Sequence, residues 1–281
     1  MPKTESPSTN FDKVDTHANA AGLVDYLEIA SQTPSIREYK ATLTRMAEIK
    51  PGDHFLEVGC GNGVDIRAAV NTHGNSVKIT GIDSSRTMLT ETRALLTEEF
   101  PTNRTVRLLQ MDAQRMALAP NSFDITKADR VFQHLPSAVK ALSEMIRITK
   151  PGGKVLVADT HWNSMVVKGI SRADSNVIKK TYLALTKDPY VAAHLGKLMT
   201  AGGLILDEKK DIVRTQITQD GYQAVEDALW IDDSLQKGVA LKAITPAEYE
   251  RCLTNVTRVK EENPESLKLR VPFYIARGYK K

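Results

Sequence analysis

HFLEVGCGNG, residues 54–63, decides the fold of this 281-residue chain. An apolar segment ends there in three glycines within five positions, Gly59, Gly61 and Gly63. Helical spacing of apolar residues follows over residues 64–70, so the pattern predicts a strand, a glycine turn and a helix. Glycine tolerates positive φ and lets a ligand approach the backbone, and a helix N-terminus offers free N–H groups to an anion. The stretch therefore predicts a ligand site where the first strand ends.

The spacing of the glycines distinguishes this turn from other glycine-rich turns. A dinucleotide-binding fold requires G-x-G-x-x-G, whereas here the third glycine comes one residue early and Glu57 precedes the first by two residues. The pattern E-x-G-x-G-x-G resembles the first motif of class I S-adenosylmethionine-dependent methyltransferases. Two strand-like segments that end in acids, residues 78–83 and 106–113, follow in the order of that family. The resemblance is strongest over residues 40–160.

The resemblance implies a role for each of these acids. Asp83, about 20 residues after the glycine turn, would accept hydrogen bonds from both ribose hydroxyls of the cofactor. Asp112 would hold the adenine amino group, and Cys60 would contribute only its backbone. The cofactor implied is S-adenosyl-L-methionine. The complete set of implied cofactor-binding residues is Glu57, Gly59, Cys60, Gly61, Asp83, Ser84, Asp112, Ala113 and Arg130.

The remaining apolar segments predict an α/β fold. Further strands are expected at residues 123–129, 154–159, 204–215 and 271–279, with helices between them. Strands that alternate with helices favour a parallel sheet with right-handed crossovers. The resemblance implies a Rossmann-like domain under a helical cap, whose sheet has seven mostly parallel strands and an antiparallel last strand.

Four segments are expected along the chain. They are an N-terminal helical cap (1–50), a cofactor-binding core (51–160), a lid and helix over the acceptor (161–203) and the C-terminal part of the sheet with two helices (204–281). Those two helices are expected at 221–237 and 246–262. Residues 1–10 are polar, contain two prolines and are predicted to be disordered.

His134 is the candidate catalytic residue. It lies in the loop DRVFQHL, residues 129–135, which resembles the corresponding loop of small-molecule methyltransferases akin to those of ubiquinone and menaquinone biosynthesis. An imidazole titrates near neutral pH, so His134 suits a general base. The competing hypothesis makes it a wall of the cofactor site or a donor to a backbone carbonyl.

The loops after the fourth and fifth strands also suggest the kind of acceptor. Asp129 and Asp159 end these strands, but the residues after Asp159 do not match the metal-binding acids of catechol-type enzymes, so no metal is expected. A small, largely apolar acceptor is expected, with methylation of carbon slightly favoured over oxygen or nitrogen. Candidate pocket residues are Phe132, Trp162, Met165, Tyr182, Tyr190 and Trp230, while Tyr26 and Tyr39 are candidates to reach the cofactor.

The composition of the chain argues against several other classes of protein. The net charge of +4 is spread along the chain, so no nucleic-acid partner is expected, and no apolar segment approaches a membrane span. Two cysteines cannot form a disulfide framework, which favours a cytoplasmic protein. Two alternatives stay open at this point: a non-catalytic module that binds the same cofactor, and an NAD-dependent oxidoreductase. The oligomeric state is not predicted.

Overall fold

The computed structural model describes residue 11, residues 14–16 and residues 20–281. The predicted disorder of residues 1–10 lies outside these ranges. Within them, no helix is both long enough and apolar enough to span a membrane.

Eight strands and eleven helices alternate along the described ranges. The strands are β1 (His54–Val58), β2 (Lys78–Asp83), β3 (Val106–Gln110), β4 (Phe123–Asp129), β5 (Thr149–Thr160), β6 (Val166–Lys168), β7 (Ile212–Asp220) and β8 (Lys268–Tyr279). The helices are α1 (Ala20–Ser31), α2 (Pro34–Ala47), α3 (Val64–His73), α4 (Arg86–Glu99), α5 (Ala138–Ile148), α6 (Arg172–Leu185), α7 (Val191–Ala201), α8 (Glu208–Asp211), α9 (Tyr222–Leu229), α10 (Ile231–Ala240) and α11 (Pro246–Glu262).

One mixed sheet organises the molecule. Its long strands lie in the order β3–β2–β1–β4–β5–β8–β7, and β1 to β5 are parallel. β8 runs antiparallel between β5 and β7. This arrangement confirms the Rossmann-like α/β fold with an antiparallel last strand. The central strands are buried on both faces because helices cover each side.

An eighth, short strand is the main difference from the seven predicted. β6 pairs with residues 268–270, the first residues of β8, beyond the end of the β5 pairing. Its three residues, Val-Val-Lys, are too few to give a periodic signal in the sequence. β6 forms here because the start of β8 offers an unpaired edge, which is a tertiary effect.

Two predicted elements have other boundaries. The strand expected at 204–215 is instead β7, because Asp207 accepts a hydrogen bond from the backbone of Lys209 and begins the short helix α8. The helix expected at 221–237 is two helices, α9 and α10, since Trp230 adopts φ 46° and ends the first. A left-handed residue of this kind stops a helix.

Apolar side chains on both faces of the sheet form its two main cores. One core includes α5 and α7, and the other includes α2, α3 and the end of β8. A third cluster joins α6 to α9, α10 and α11 around the buried Tyr182. The predicted lid therefore divides in the structure: α6 packs with the C-terminal helices, while α7 packs on β5 and β8. The four-segment division stays a prediction.

Candidate functional site

A cavity of about 500 Å³ opens at the carboxyl ends of the parallel strands. Ligands of open parallel sheets bind at this edge, and volumes of about 300–1,000 Å³ are typical of small-molecule sites. One end of the cavity, which we call the cofactor end, is formed by Gly59, Gly61, Asp83, Asp112 and their neighbours. The other end, which we call the acceptor end, lies against α2, β7, β8 and α9.

The glycine turn is closely packed beneath the cavity. Gly59 has φ 67°, and a Cβ built on it would lie 2.5 Å from Val131 Cγ2. Gly63 has φ 79°, and its Cβ would lie 2.4 Å from Thr92 Cγ2. Any other residue at these two positions meets both backbone strain and steric overlap. Gly59 and Gly61 also line the cavity above this packing.

Asp83 joins the glycine turn to the N-terminus of α4. Its Oδ2 accepts from the backbone N–H of Gly61 at 2.8 Å, and its Oδ1 accepts from that of Ser85 at 2.9 Å. Burial raises the pKa of Asp83, although both donors stabilise its charged form. Ser84, Asp112 and Ala113 line the same end of the cavity, as the sequence predicted for the cofactor.

Glu57 and Cys60 lie beneath the turn. Both line a smaller cavity of about 60 Å³ beside the main one, together with Gly59, Gly61 and Arg130. Glu57 is 2% exposed, and burial raises its pKa to about 8 in spite of Lys127, whose Nζ lies 2.9 Å from Glu57 Oε2. The direct roles of Glu57 and Cys60 in cofactor binding stay predictions.

A network of buried lysine and aspartate side chains lies beneath the glycine turn, and the sequence analysis did not predict it. Lys127 Nζ donates to Asp65 at 2.8 Å, and Lys40 Nζ donates to Asp65 at 2.6 Å and to Asp129 at 2.8 Å. Tyr39 also donates to Asp129, at 3.3 Å. Burial would raise the pKa of Asp65, but the two lysines outweigh it and hold that pKa far below its ordinary value. These ion pairs tie α2, α3 and β4 together.

Arg130 lines both cavities directly after β4. Its backbone has φ 56°, and its N–H donates to the carbonyl of Ala158 at 2.8 Å. A non-glycine residue in this conformation is strained, and such strain concentrates at functional sites. The resemblance implies that Arg130 contacts the cofactor, and this role stays a prediction.

His134 lies on the cavity wall at the end of a 3-10 helix, Phe132–His134. Its Nε2 is 3.0 Å from Nε2 of Gln133, and Gln133 Oε1 accepts from the indole of Trp162 at 2.8 Å. The Phe11 ring centroid lies 5.8 Å from that of His134. The loop thus brings His134 to the cavity as predicted, but with a neighbour, Gln133, that the sequence analysis did not single out.

The acceptor end is mostly apolar. Of the six predicted pocket residues, Trp162 lines the cavity, Tyr190 is exposed, and Phe132, Met165 and Tyr182 are buried in the cores. Trp230 is outside the cavity wall. Tyr26 lines the cavity, whereas Tyr39 is buried against Phe273. The acceptor-end wall instead consists of Ile29, Ala30, Thr33, Ile36, Trp162, Lys187, Ile217, Gln219, Ala224, Asp227, Ala228, Leu229, Leu269 and Val271.

The two acids after β4 and β5 have separate partners. Asp129 is paired with Lys40, while Asp159 is fully buried and accepts from the backbone N–H groups of Gln133 and Thr160, both at 3.1 Å. Burial raises the pKa of Asp159 to about 8. Across the part of the chain that the structure describes, no group of three or more His, Cys, Asp or Glu residues could hold a metal ion.

A glycine turn after β1, acids after β2 and β3, and a reversed last strand define the class I methyltransferase fold. Residues 49–221 match the family model described as a methyltransferase domain, and the chain belongs to this family. The membership confirms the predicted class of S-adenosylmethionine-dependent methyltransferases, with that molecule as methyl donor. It also decides against the nicotinamide alternative.

Two curated proteins match parts of the chain. An uncharacterized 37.1 kDa protein in a transposon of Streptomyces fradiae is 25% identical over 237 residues, 83% of this chain and 66% of the relative. A demethylmenaquinone methyltransferase of Bacillus cereus is 28% identical over 145 residues, 50% of this chain and 60% of the relative. The matches thus span less than two thirds of either relative.

A solved structure supports the same fold. The phosphoethanolamine N-methyltransferase 2 of Haemonchus contortus, in complex with S-adenosyl-L-methionine, superposes with a TM-score of 0.58 at 19% identity. The superposition covers 100% of this chain and 61% of that protein.

Proposed function

We propose that this chain transfers the methyl group of S-adenosylmethionine to a small, largely apolar acceptor molecule. One observation carries the proposal: a single cavity runs from the glycine turn and Asp83 to the apolar wall of α2, β7, β8 and α9. Both substrates of a direct methyl transfer must occupy one space, because the nucleophile attacks the methyl group in line with the breaking bond.

The residues of the cofactor end fit the methyl donor. The Asp83 carboxylate offers acceptors for ribose hydroxyls, and Gly59 and Gly61 leave the backbone accessible. Asp112 lines the same cavity and could accept a hydrogen bond from the adenine amino group. Bound S-adenosylmethionine supplies an activated methyl group on its sulfonium, so the protein's task is to align the acceptor, exclude water and, where needed, hold a proton.

Two features support a small, quinone-like acceptor. The acceptor-end wall is apolar apart from a few polar groups, which suits a compact molecule with an apolar body. The relative from Bacillus cereus is a demethylmenaquinone methyltransferase. This relationship favours carbon as the methylated atom over oxygen or nitrogen, and the same fold supports many chemistries, so the acceptor must be tested directly.

His134 is proposed as the general base that takes the proton released by the acceptor. It lies on the cavity wall after β4, between the cofactor end and Trp162. A substitution of His134 by alanine should lower turnover about 100-fold or more, as is usual for a general acid or base, while the affinity for S-adenosylhomocysteine changes little. An equal loss of both quantities would assign His134 to the cofactor wall instead.

An acceptor screen tests the proposal as a whole. The full-length chain is incubated with methyl-labelled S-adenosylmethionine and either a metabolite extract or a panel of quinols, phenols and amines, and products are identified by mass spectrometry. A labelled small product that the Asp83→Asn variant forms more slowly supports the proposal. Tight cofactor binding without any labelled product would favour the non-catalytic binding module.

A further inference from the structure

A short line of hydrogen bonds leads from the acceptor-end wall to His134. The indole N–H of Trp162 donates to Gln133 Oε1 at 2.8 Å, and Nε2 of Gln133 lies 3.0 Å from Nε2 of His134. The cavity wall includes all three residues. Neither the family match nor the resemblance assigns a role to Gln133 or Trp162.

The chemistry of these groups fixes the direction of each hydrogen bond. An indole nitrogen can only donate, so it must face the carbonyl oxygen of the Gln133 amide. The NH₂ of that amide then faces the imidazole, and an amide NH₂ can also only donate. His134 Nε2 must therefore be the acceptor, which means that neutral His134 carries its proton on Nδ1.

The amide of Gln133 is held in place from several sides. Its side chain is buried, with the residue 4% exposed. The backbone N–H of Gln133 donates to Asp159 Oδ2 at 3.1 Å, and the backbone carbonyl of Gln133 accepts from the backbone N–H of Asp188 at 3.1 Å. The Trp162 ring stacks on buried Tyr182, with centroids 5.0 Å apart. Because both neighbours are fixed, the amide cannot turn over without losing the Trp162 hydrogen bond.

We propose that Gln133 is a positioning residue that keeps His134 a neutral imidazole with its proton on Nδ1, and that Trp162 fixes the orientation of Gln133. A protonated imidazole would direct an N–H at the NH₂ of Gln133, so the arrangement favours the neutral ring. The lone pair on Nε2 is already engaged by a donor. A proton can reach Nε2 only when Gln133 moves away, so Gln133 controls when His134 can act as a base.

This inference rests on the proposed function only in giving His134 a part in the reaction. Arg130 and Lys187 line the same cavity, as do Asp129 and Asp227, while Asp159 contacts the backbone of Gln133. The variants below leave all of these groups in place, so differences between variants report on Gln133 and Trp162.

The test is nuclear magnetic resonance of the full-length chain with ¹⁵N-labelled histidine, bound to S-adenosylhomocysteine. Loss of one set of imidazole signals in a His134→Ala variant assigns His134 among the six histidines. We expect Nδ1 to give the signal of a protonated nitrogen at pH 8 and Nε2 that of an unprotonated acceptor. A proton on Nε2 in the unmodified chain would overturn the proposal.

Two variants test the roles of the neighbours. Gln133→Glu keeps the acceptor for Trp162 but replaces the donor to His134, so the proton should move to Nε2 and the titration midpoint of the ring should rise by about one pH unit or more. Trp162→Phe keeps the ring stacked on Tyr182 but removes the indole donor, so a mixture of tautomers is expected. An unchanged tautomer in both variants would contradict the proposal.

The kinetic consequence is measured separately. If an acceptor is identified, Gln133→Glu should shift the acidic limb of the pH profile of kcat upward, and the KM for S-adenosylmethionine should stay unchanged. Because the resonance experiment needs no turnover, it stands even if the acceptor screen fails. A purely structural role for Gln133 would lower activity at all pH values without moving the acidic limb.

Discussion

The two ends of the cavity differ in how the chain builds them. At the cofactor end, the wall residues from Gly59 to Asp112 follow the order of β1, β2 and β3, and Gly59, Asp83 and Asp112 each lie within two residues of the carboxyl end of a strand. At the acceptor end, the wall combines Ile36 near one end of the chain with Ile217, Ala224 and Val271 near the other.

This difference explains what a sequence can reveal about each end. Local motifs specify the cofactor end, because glycine spacing and strand-ending acids lie within short segments. The acceptor end depends on how distant elements pack, so its residues carry no motif of their own. The two ends should also respond independently to substitution, since distant sites without shared partners act additively.

The largest effect is expected from Gly59→Ala. Its positive φ and the 2.5 Å approach to Val131 should destabilise the fold by about 3 kcal/mol and displace the turn, so that binding of S-adenosylhomocysteine is lost. Gly74→Ala is the matched control, because Gly74 has φ 55° but nothing within 4 Å of its Cβ. Urea unfolding and calorimetric titration measure both quantities. Equal costs for the two variants would mean that the close approach is unimportant.

Asp83→Asn should weaken binding at the cofactor end without affecting the acceptor end. Loss of the charged acceptor should cost about 2 kcal/mol of cofactor binding, which is roughly a 30-fold rise in the dissociation constant. The KM of the acceptor should stay as it was. Calorimetric titration with S-adenosylhomocysteine and steady-state kinetics give the two values, and a comparable rise in both would show that the ends are coupled.

Ala224→Phe should impair the acceptor end without affecting the cofactor end. Ala224 lies on α9 at the acceptor end, and a phenyl ring there would occupy space that the acceptor needs. We expect kcat/KM for the acceptor to fall about tenfold, while the cofactor affinity stays within about a factor of two. Activity that survives unchanged with a bulky acceptor would place the acceptor elsewhere in the cavity.

The smallest effect is a pH dependence of stability. Burial raises the pKa of Asp159 to about 8 from 3.8, so the folded chain keeps a proton that the unfolded chain releases. This contribution is complete below pH 3.8 and is lost as the pH rises through about 8. Asp159→Asn removes it, so the loss of stability between pH 5 and pH 6 should shrink by about 1 kcal/mol. Urea unfolding at the two pH values checks this, and an unchanged slope would mean that Asp159 is ionised in the folded chain.

Particular residues show where prediction from sequence succeeded and where it could not. The glycine turn, the acids of β2 and β3 and the position of His134 followed from local patterns. β6 and the break at Trp230 depend on partners that are distant in the chain. The buried ion pairs had one overlooked signal: Lys127 lies inside the predicted strand 123–129 of a parallel sheet, whose strands are buried, so an unpaired charge there would be costly.

The ion pairs beneath the turn also reach outside the segment that defines the family. The family match begins at residue 49, yet Lys40 and Tyr39 of α2 donate to Asp129. A shortened protein that starts at the family boundary would keep every glycine of the turn and every strand-ending acid. It would nevertheless leave Asp129 without Lys40, and Asp65 with only one of its two lysines, Lys127, directly below the glycine turn. The segment that holds the site together is therefore longer than the family match, because α2 supplies a positive charge to the floor of the site.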